Sequence, residues 1–139
     1  MAELKQFQLE VISPERVFYT GDVEMVELTT TEGDIGILAG HIPLTTIVAP
    51  GVLTISEPDN VTKEAAVLEG FMEITQEKVT ILAQSCEWPE EIDVDRAKEA
   101  RERAERRLKS ADENINMARA ELALRKSLVR LELAEGEKK

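Results

Sequence analysis

Through the first two-thirds of the chain, apolar residues fall at every second position in short runs. Phe7, Leu9 and Val11 alternate with Gln8 and Glu10, while Val26, Leu28 and Thr30 alternate with Glu27 and Thr29. That period belongs to strands with one buried face and one wet face. Ser13-Pro14, Thr20-Gly21-Asp22, Glu32-Gly33-Asp34, Pro50-Gly51, Pro58-Asp59-Asn60, Glu69-Gly70 and Gln76-Glu77-Lys78 break up the runs and predict the turns of an antiparallel sandwich. No α-helical stretch is needed before Trp88.

After Trp88-Pro89 the period changes. Asp93 is a suitable N-cap, and Asp95 faces the positive end of the helix that follows. Glu99 with Arg103, Glu102 with Arg106 and Glu121 with Arg125 are acid-before-base pairs four residues apart, an order that supports a helix surface. Ser110-x-x-Glu113 fits a capping box that would start a second helix running to about Leu133. Between Glu90 and Glu135 there is neither glycine nor proline, so one long helix also fits. Val94, Ala97, Ala104, Leu108 and Ala111 make one stripe, and Ile115, Ala118, Leu122 and Val129 the other. Alanine methyls remove little area from water, which predicts a loosely held pair; the alternative is an ordinary rigid hairpin. The expected architecture is β followed by α: an N-terminal antiparallel β-sandwich over 1–88, then a C-terminal two-helix antiparallel hairpin over 89–139.

Charge reinforces the division. The chain of 139 residues carries a net charge of −11. Four basic and fifteen acidic residues lie in 1–88, and thirteen of each in 89–139, so the acidity belongs to the sandwich and argues against nucleic acid as a partner. Residues 35–56 hold no formal charge if His41 is neutral, but Gly36, Gly40, Pro43, Pro50 and Gly51 would break a membrane helix. Short buried strands are expected there, with no direct membrane insertion. One cysteine, Cys86, and a first segment, MAELKQFQLE, without the regions of a signal peptide predict a reduced, cytosolic setting. Gly33 to His41 is glycine-rich but lacks the Lys-Ser/Thr of a P-loop. A single histidine excludes a multi-histidine metal site, and no catalytic constellation emerges.

The run Glu32-Gly33-Asp34-Ile35-Gly36-Ile37-Leu38-Ala39-Gly40-His41-Ile42-Pro43-Leu44 resembles the signature of the epsilon subunit of F-type ATP synthases, E-G-(E/D)-x-G-I-L-P-G-H-x-P-L. Glu69-Gly70-Phe71-Met72-Glu73-Ile74 and Val79-Thr80-Ile81-Leu82-Ala83 resemble that family's G-G-F-x-E-V and V-T-I-L-A strands, and the two-helix tail has the family's length. Ala39 stands where proline is usual, and Glu69 where the first of two glycines is usual.

The resemblance implies a non-catalytic subunit of the central stalk, peripheral on the cytoplasmic face of the cell membrane, whose sandwich binds the gamma subunit and the membrane rotor ring. Glu32 and Asp34 fall in the loop that lies near the ring in relatives; the plainer reading is a solvated acidic turn. Ile92-Asp93-Val94-Asp95-Arg96-Ala97 fits the I/L-D-x-x-R-A motif of epsilon subunits that bind ATP without hydrolysing it. Arg96 and Arg103 share a helix face, as do Lys126 and Arg130, and folding the hairpin would bring these cations to the phosphates. Glu87 and Asp93 are acceptors for the adenine amine. Relatives that bind ATP usually carry arginine where Lys126 stands, and lysine offers a point charge in place of a fork. With ATP as a regulatory ligand the hairpin would stay folded. Without it, Arg119, Arg125, Lys126 and Arg130 would reach acidic segments of the catalytic-head subunits and inhibit ATP hydrolysis. The alternatives are cations that only solvate the tail and a free-standing nucleotide-sensing adaptor protein.

Overall fold

The computed structural model describes residues 5–110, 112 and 114–137. The chain divides into two compact units, Met1–Glu87 and Trp88–Lys139. In the first, β1 (Phe7–Ile12), β2 (Val17–Val23), β3 (Met25–Thr30), β4 (Gly33–Leu38), β5 (Leu44–Val48), β6 (Gly51–Glu57), β7 (Val61–Ile74) and β8 (Lys78–Glu87) build a sandwich. The hydrogen-bonded order is β2-β1-β8-β7-β5-β3-β4, and β6 joins β3 to β7. The β1 and β8 ladder is parallel and the others are antiparallel. The alternating residues read from sequence are the core: Phe7, Leu9, Val11, Val26, Leu28 and Thr30 are all buried.

β7 belongs to both layers. Its Val61–Val67 stretch pairs with β6 and its Gly70–Ile74 stretch with β5, while β8 runs along its other edge. Ala65, Ala66, Val67 and Leu68 are all buried, which a strand with one wet face would not allow; they mark where β7 passes between layers. There the register with β8 shifts on both sides of Glu69, a bulge that redirects the strand. A Cβ at Gly70 would stand 2.3 Å from the Leu82 carbonyl oxygen and 2.9 Å from the Ala83 Cα, so only glycine lets β8 close against it. Glu69-Gly70 is therefore the inside of a strand and not a turn, and Thr20-Gly21-Asp22 likewise lies within β2.

Between β6 and β7 the chain turns through Pro58–Asn60, with Asp59 and Asn60 in the left-handed region at φ 66° and 62°, which Asp and Asn tolerate. A polar cluster ties this hairpin to β2. The Tyr19 hydroxyl donates to Glu57, Lys63 pairs with Glu57 at 3.4 Å, and the Lys63 ammonium lies 5.7 Å from the Tyr19 ring centre. Burial first, then the hydrogen bond to Glu57 and its charge, push the Tyr19 phenol well above its ordinary value.

The uncharged stretch forms β4, β5 and β6, and no helix among the described residues is long and apolar enough to cross a membrane. Not all of it is buried. Leu38, Ile42, Leu44 and Ile47 remain substantially exposed.

In the second unit, Pro89–Glu91 forms a 3₁₀ turn, followed by α1 (Val94–Lys109) and α2 (Met117–Glu137). α2 packs along α1 and reaches back to the turn that precedes it, so the two helices are antiparallel. Asp93 caps α1, its carboxylate accepting the Arg96 N–H at 3.1 Å. The second helix starts later than Ser110. Ser110 ends α1, and Asn116 caps α2 by accepting the Arg119 N–H at 3.1 Å. Glu113 and Ala111, expected in a capping box and in the first stripe, lie outside the described residues.

The seam of α1 is Ala97 and Ala104, as the pattern indicates; that of α2 is Ala120, Ser127, Leu131 and Ala134, all buried. Ala118 is exposed, and Leu122 and Val129 are half-buried, so the face of α2 is turned from the expected one. Ser127 accounts for the difference: it is 0 % exposed and donates its hydroxyl to the Leu124 carbonyl at 2.7 Å, which satisfies the only polar atom of a side chain small enough for close packing. None of the three acid-before-base pairs closes to an ion pair among the described residues; α1 instead pairs Arg101 with Glu105 at 3.5 Å.

Candidate functional site

Two places hold the residues that the sequence singled out, and a third stands beside them. The first is the β3–β4 turn. The Thr30 hydroxyl donates to the Gly33 carbonyl at 2.7 Å and accepts the Glu32 N–H at 3.1 Å, and Gly33 sits at φ 121°. Asp34 accepts the Thr29 hydroxyl at 2.8 Å, whereas Glu32 projects from the tip; both are exposed. Nearby, His41 Nδ1 lies 2.8 Å from the Ile42 carbonyl. A carbonyl can only accept, so Nδ1 carries the proton and the imidazole braces its own loop.

The second place is the helical hairpin. Arg96 and Arg103 immediately precede seam residues Ala97 and Ala104, as Lys126 and Arg130 precede Ser127 and Leu131. In an antiparallel pair of right-handed helices, positions one residue before the seam lie on the same side of both. The four cations therefore flank one side of the hairpin. Arg96 and Arg103 are exposed, and Lys126 and Arg130 are half-buried. Arg119, preceding Ala120, joins that side. Arg125 is exposed and two positions before the seam, and so faces away from α1. One oxygen of Asp93 is taken by its cap, leaving the other for a ligand. Glu87 is the last residue of β8 and belongs to the sandwich unit.

The third place was not expected. Ile47 pairs with Phe71, Phe71 with Leu82, Leu82 with Ile12, and Ile12 with Val17. Directly opposite residues point to the same face, so these five form one apolar row across β5, β7, β8, β1 and β2. Ile47 is 56 %, Phe71 42 %, Leu82 50 % and Val17 62 % exposed. The next row along the same face, Thr45, Glu73, Thr80, Glu10 and Thr20, is polar and acidic. A signal existed: Val11-Ile12, Ile47-Val48, Phe71-Met72 and Ile81-Leu82 each place two large apolar residues side by side, and in a strand one of each pair must face outward.

Among the described residues no group of three or more His, Cys, Asp or Glu is placed to hold a metal ion. Residues 6–89 match the ATP synthase, Delta/Epsilon chain, beta-sandwich domain, and residues 90–135 match the ATP synthase, Delta/Epsilon chain, long alpha-helix domain. The chain belongs to the ATP synthase delta/epsilon family. It is 50 % identical over 131 residues to the ATP synthase epsilon chain of Caldanaerobacter subterraneus subsp. tengcongensis, covering 94 % of each chain. Against the epsilon chain of Caldicellulosiruptor bescii it is 44 % identical, covering 97 % of this chain and 98 % of that one. A solved chain in the Euglena gracilis mitochondrial ATP synthase, OSCP/F1/c-ring, superposes with a TM-score of 0.81 at 26 % identity, covering 96 % of this chain and 84 % of that one. As an epsilon-type member of this family, the protein is a non-catalytic subunit of the F-type ATP synthase.

Proposed function

We propose that this epsilon-type subunit couples the catalytic head of the synthase to its membrane ring as part of the central stalk, and that its hairpin restrains ATP hydrolysis under the control of bound ATP. The apolar row on the sandwich carries the coupling role. An exposed band of Ile47, Phe71, Leu82 and Val17 on a unit with a net charge of −11 over 1–88 is a docking surface for another subunit, and the gamma subunit is its occupant in this reading. Glu32, at the tip of the β3–β4 turn, is free to meet basic loops of the ring, with Asp34 beside it. The subunit then works at the cytoplasmic face of the membrane without entering it. Co-purification tests this directly: native protein that never migrates with a gamma subunit rules the stalk role out.

Regulation rests on the hairpin. Its buried positions are mostly alanine and one serine, which contribute little area, with Leu131 and Leu133 as the large buried side chains of α2, and its cations share one side. Phosphates bound by Arg96, Arg103, Lys126 and Arg130 would fasten α1 to α2, with the open oxygen of Asp93 as an acceptor for the adenine amine. A ligand at 100 times its dissociation constant stabilises the bound form by about 2.7 kcal/mol, enough to reverse a marginal preference. Released, the helices would present Arg119, Arg125, Lys126 and Arg130 to acidic surfaces of the catalytic subunits. ATP titration of the full chain, repeated with Arg96→Ala, measures the binding, and a fluorescence pair across the hinge measures the closure. An unchanged distance at millimolar ATP refutes the clamp.

A further inference from the structure

At the tip of the hairpin the described residues enclose a shallow cavity of about 280 Å³ lined by Arg103, Arg106, Arg107, Ser110 and Ile115. None of the described residues that line it is a carboxylate. Arg103, Arg106 and Arg107 are three and four residues apart along α1, so their guanidinium groups leave the helix on one side. None of the three is in an ion pair among the described residues; the one pair on α1 engages Arg101 with Glu105. Ser110 adds a fourth donor. Its oxygen accepts the Asp112 N–H at 3.1 Å, which leaves the hydroxyl proton to point elsewhere. Among the described residues, Ile115 supplies the apolar wall.

We propose that this cavity is a binding site for a phosphoryl group or a short phosphate chain, sharing only Arg103 with the proposed nucleotide clamp. The donor set fits: arginines offer planar, two-pronged hydrogen bonding to tetrahedral oxyanions, and a serine hydroxyl completes the cradle. The volume fits too. It falls at the lower limit of cavities that take whole small molecules, so it suits phosphate oxygens better than a nucleoside. Field effects do not oppose it. The negative end of α1 lies at this tip, but so does the positive first turn of α2, and three full charges outweigh a half-charge. The arginines also complement the carbonyls that end α1, but that duty needs no cavity.

Two-dimensional NMR of the full chain decides the matter, with inorganic phosphate, inorganic triphosphate and ATP as separate probes at matched ionic strength. The expected result is saturable shifts at the Ser110 and Ile115 amides and at the side-chain N–H groups of Arg106 and Arg107. In the Arg106→Gln/Arg107→Gln double variant the apparent affinity for inorganic triphosphate falls about tenfold or more. Arg96→Gln, whose side chain does not line the cavity, leaves triphosphate binding at the tip unchanged. Equal binding of triphosphate and ATP identifies the phosphate chain as the ligand. Tighter ATP binding at these resonances, lost in the double variant, identifies a nucleotide held by its phosphates. Shifts that sodium chloride reproduces, or a double variant that binds like the parent, overturn the proposal. The site shares Arg103 with the clamp but requires neither adenine, Asp93 nor Arg96, so loss of the tip shifts in the Arg106→Gln/Arg107→Gln variant and loss of ATP binding in Arg96→Ala are read separately and either can fail alone.

Discussion

Phe71 is the central residue of the exposed apolar row, flanked across the sheet by Ile47 and Leu82. If the row docks on the gamma subunit, truncating it removes contact area without disturbing the core, because the neighbouring Met72 and Ile81 are the buried residues. Phe71 leaves 42 % of its surface open, roughly 80 Å² of largely apolar area, worth about 2 kcal/mol when fully covered at ~25 cal/mol per Å². Phe71→Ala should therefore weaken association with the gamma subunit by about tenfold, or ~1.5 kcal/mol, after allowing for the methyl that remains. Leu82, 50 % exposed, predicts a similar loss. The double variant should lose less than the sum, since the two side chains touch the same partner surface. Isothermal titration of full-length variants against purified gamma subunit measures this, and urea unfolding checks that the sandwich is intact. Affinities within about twofold of the parent for both single variants, with unchanged unfolding, would show that the row is not the interface.

Gly70→Ala forces a Cβ against the Leu82 carbonyl and should destabilise the sandwich by about 3 kcal/mol or more, read as a fall in urea midpoint. Gly136→Ala, where an added Cβ meets nothing within 4 Å, should be neutral or slightly stabilising. Asn116→Ala removes the N-cap of α2 and should cost about 1 kcal/mol, seen as faster hydrogen exchange in that helix's first turns. The raised pKa of Tyr19 means that the fold retains a proton that the unfolded chain gives up. Its stabilisation is whole below about pH 10, where an unperturbed phenol titrates, and drains away as pH rises beyond that. Urea midpoints at about pH 9 and pH 11 should drop more steeply in the parent than in Tyr19→Phe, and parallel curves would contradict the assignment.

The strands were legible because burial on one face imposes a period of two, and the residues alternating at 7, 9 and 11 and at 26, 28 and 30 are buried as that period requires. Glycine was the ambiguous letter. A glycine that opens a turn and one that admits a neighbouring strand look alike in sequence, so Gly21 and Gly70 suggested turns although both lie inside strands. In the helices, Ser127 hid the seam of α2. Hydropathy counts its hydroxyl as polar, whereas the hydroxyl is satisfied within its own helix. Ser110 and Asn116 are both good caps, and local chemistry alone did not rank them. Arg96, Arg103, Lys126 and Arg130 were singled out by the family motif together with helical spacing, and the side they share follows only from the observed seam. The apolar row needed register: its five residues come from five strands, and no local window contains the pairing of Ile12 with Leu82.

The long strand β7 has a mechanical corollary. In most sandwiches the two layers meet only through side chains and can slip past one another when pulled sideways. Here the backbone of one strand is hydrogen-bonded to β5 along one stretch and to β6 along the other. A tangential load applied at Phe71 thus passes into the opposite layer through covalent bonds, and shear between the layers must first tear a ladder. If a partner grips the face that carries Phe71 and twists it, that construction resists wear where simple packing would creep.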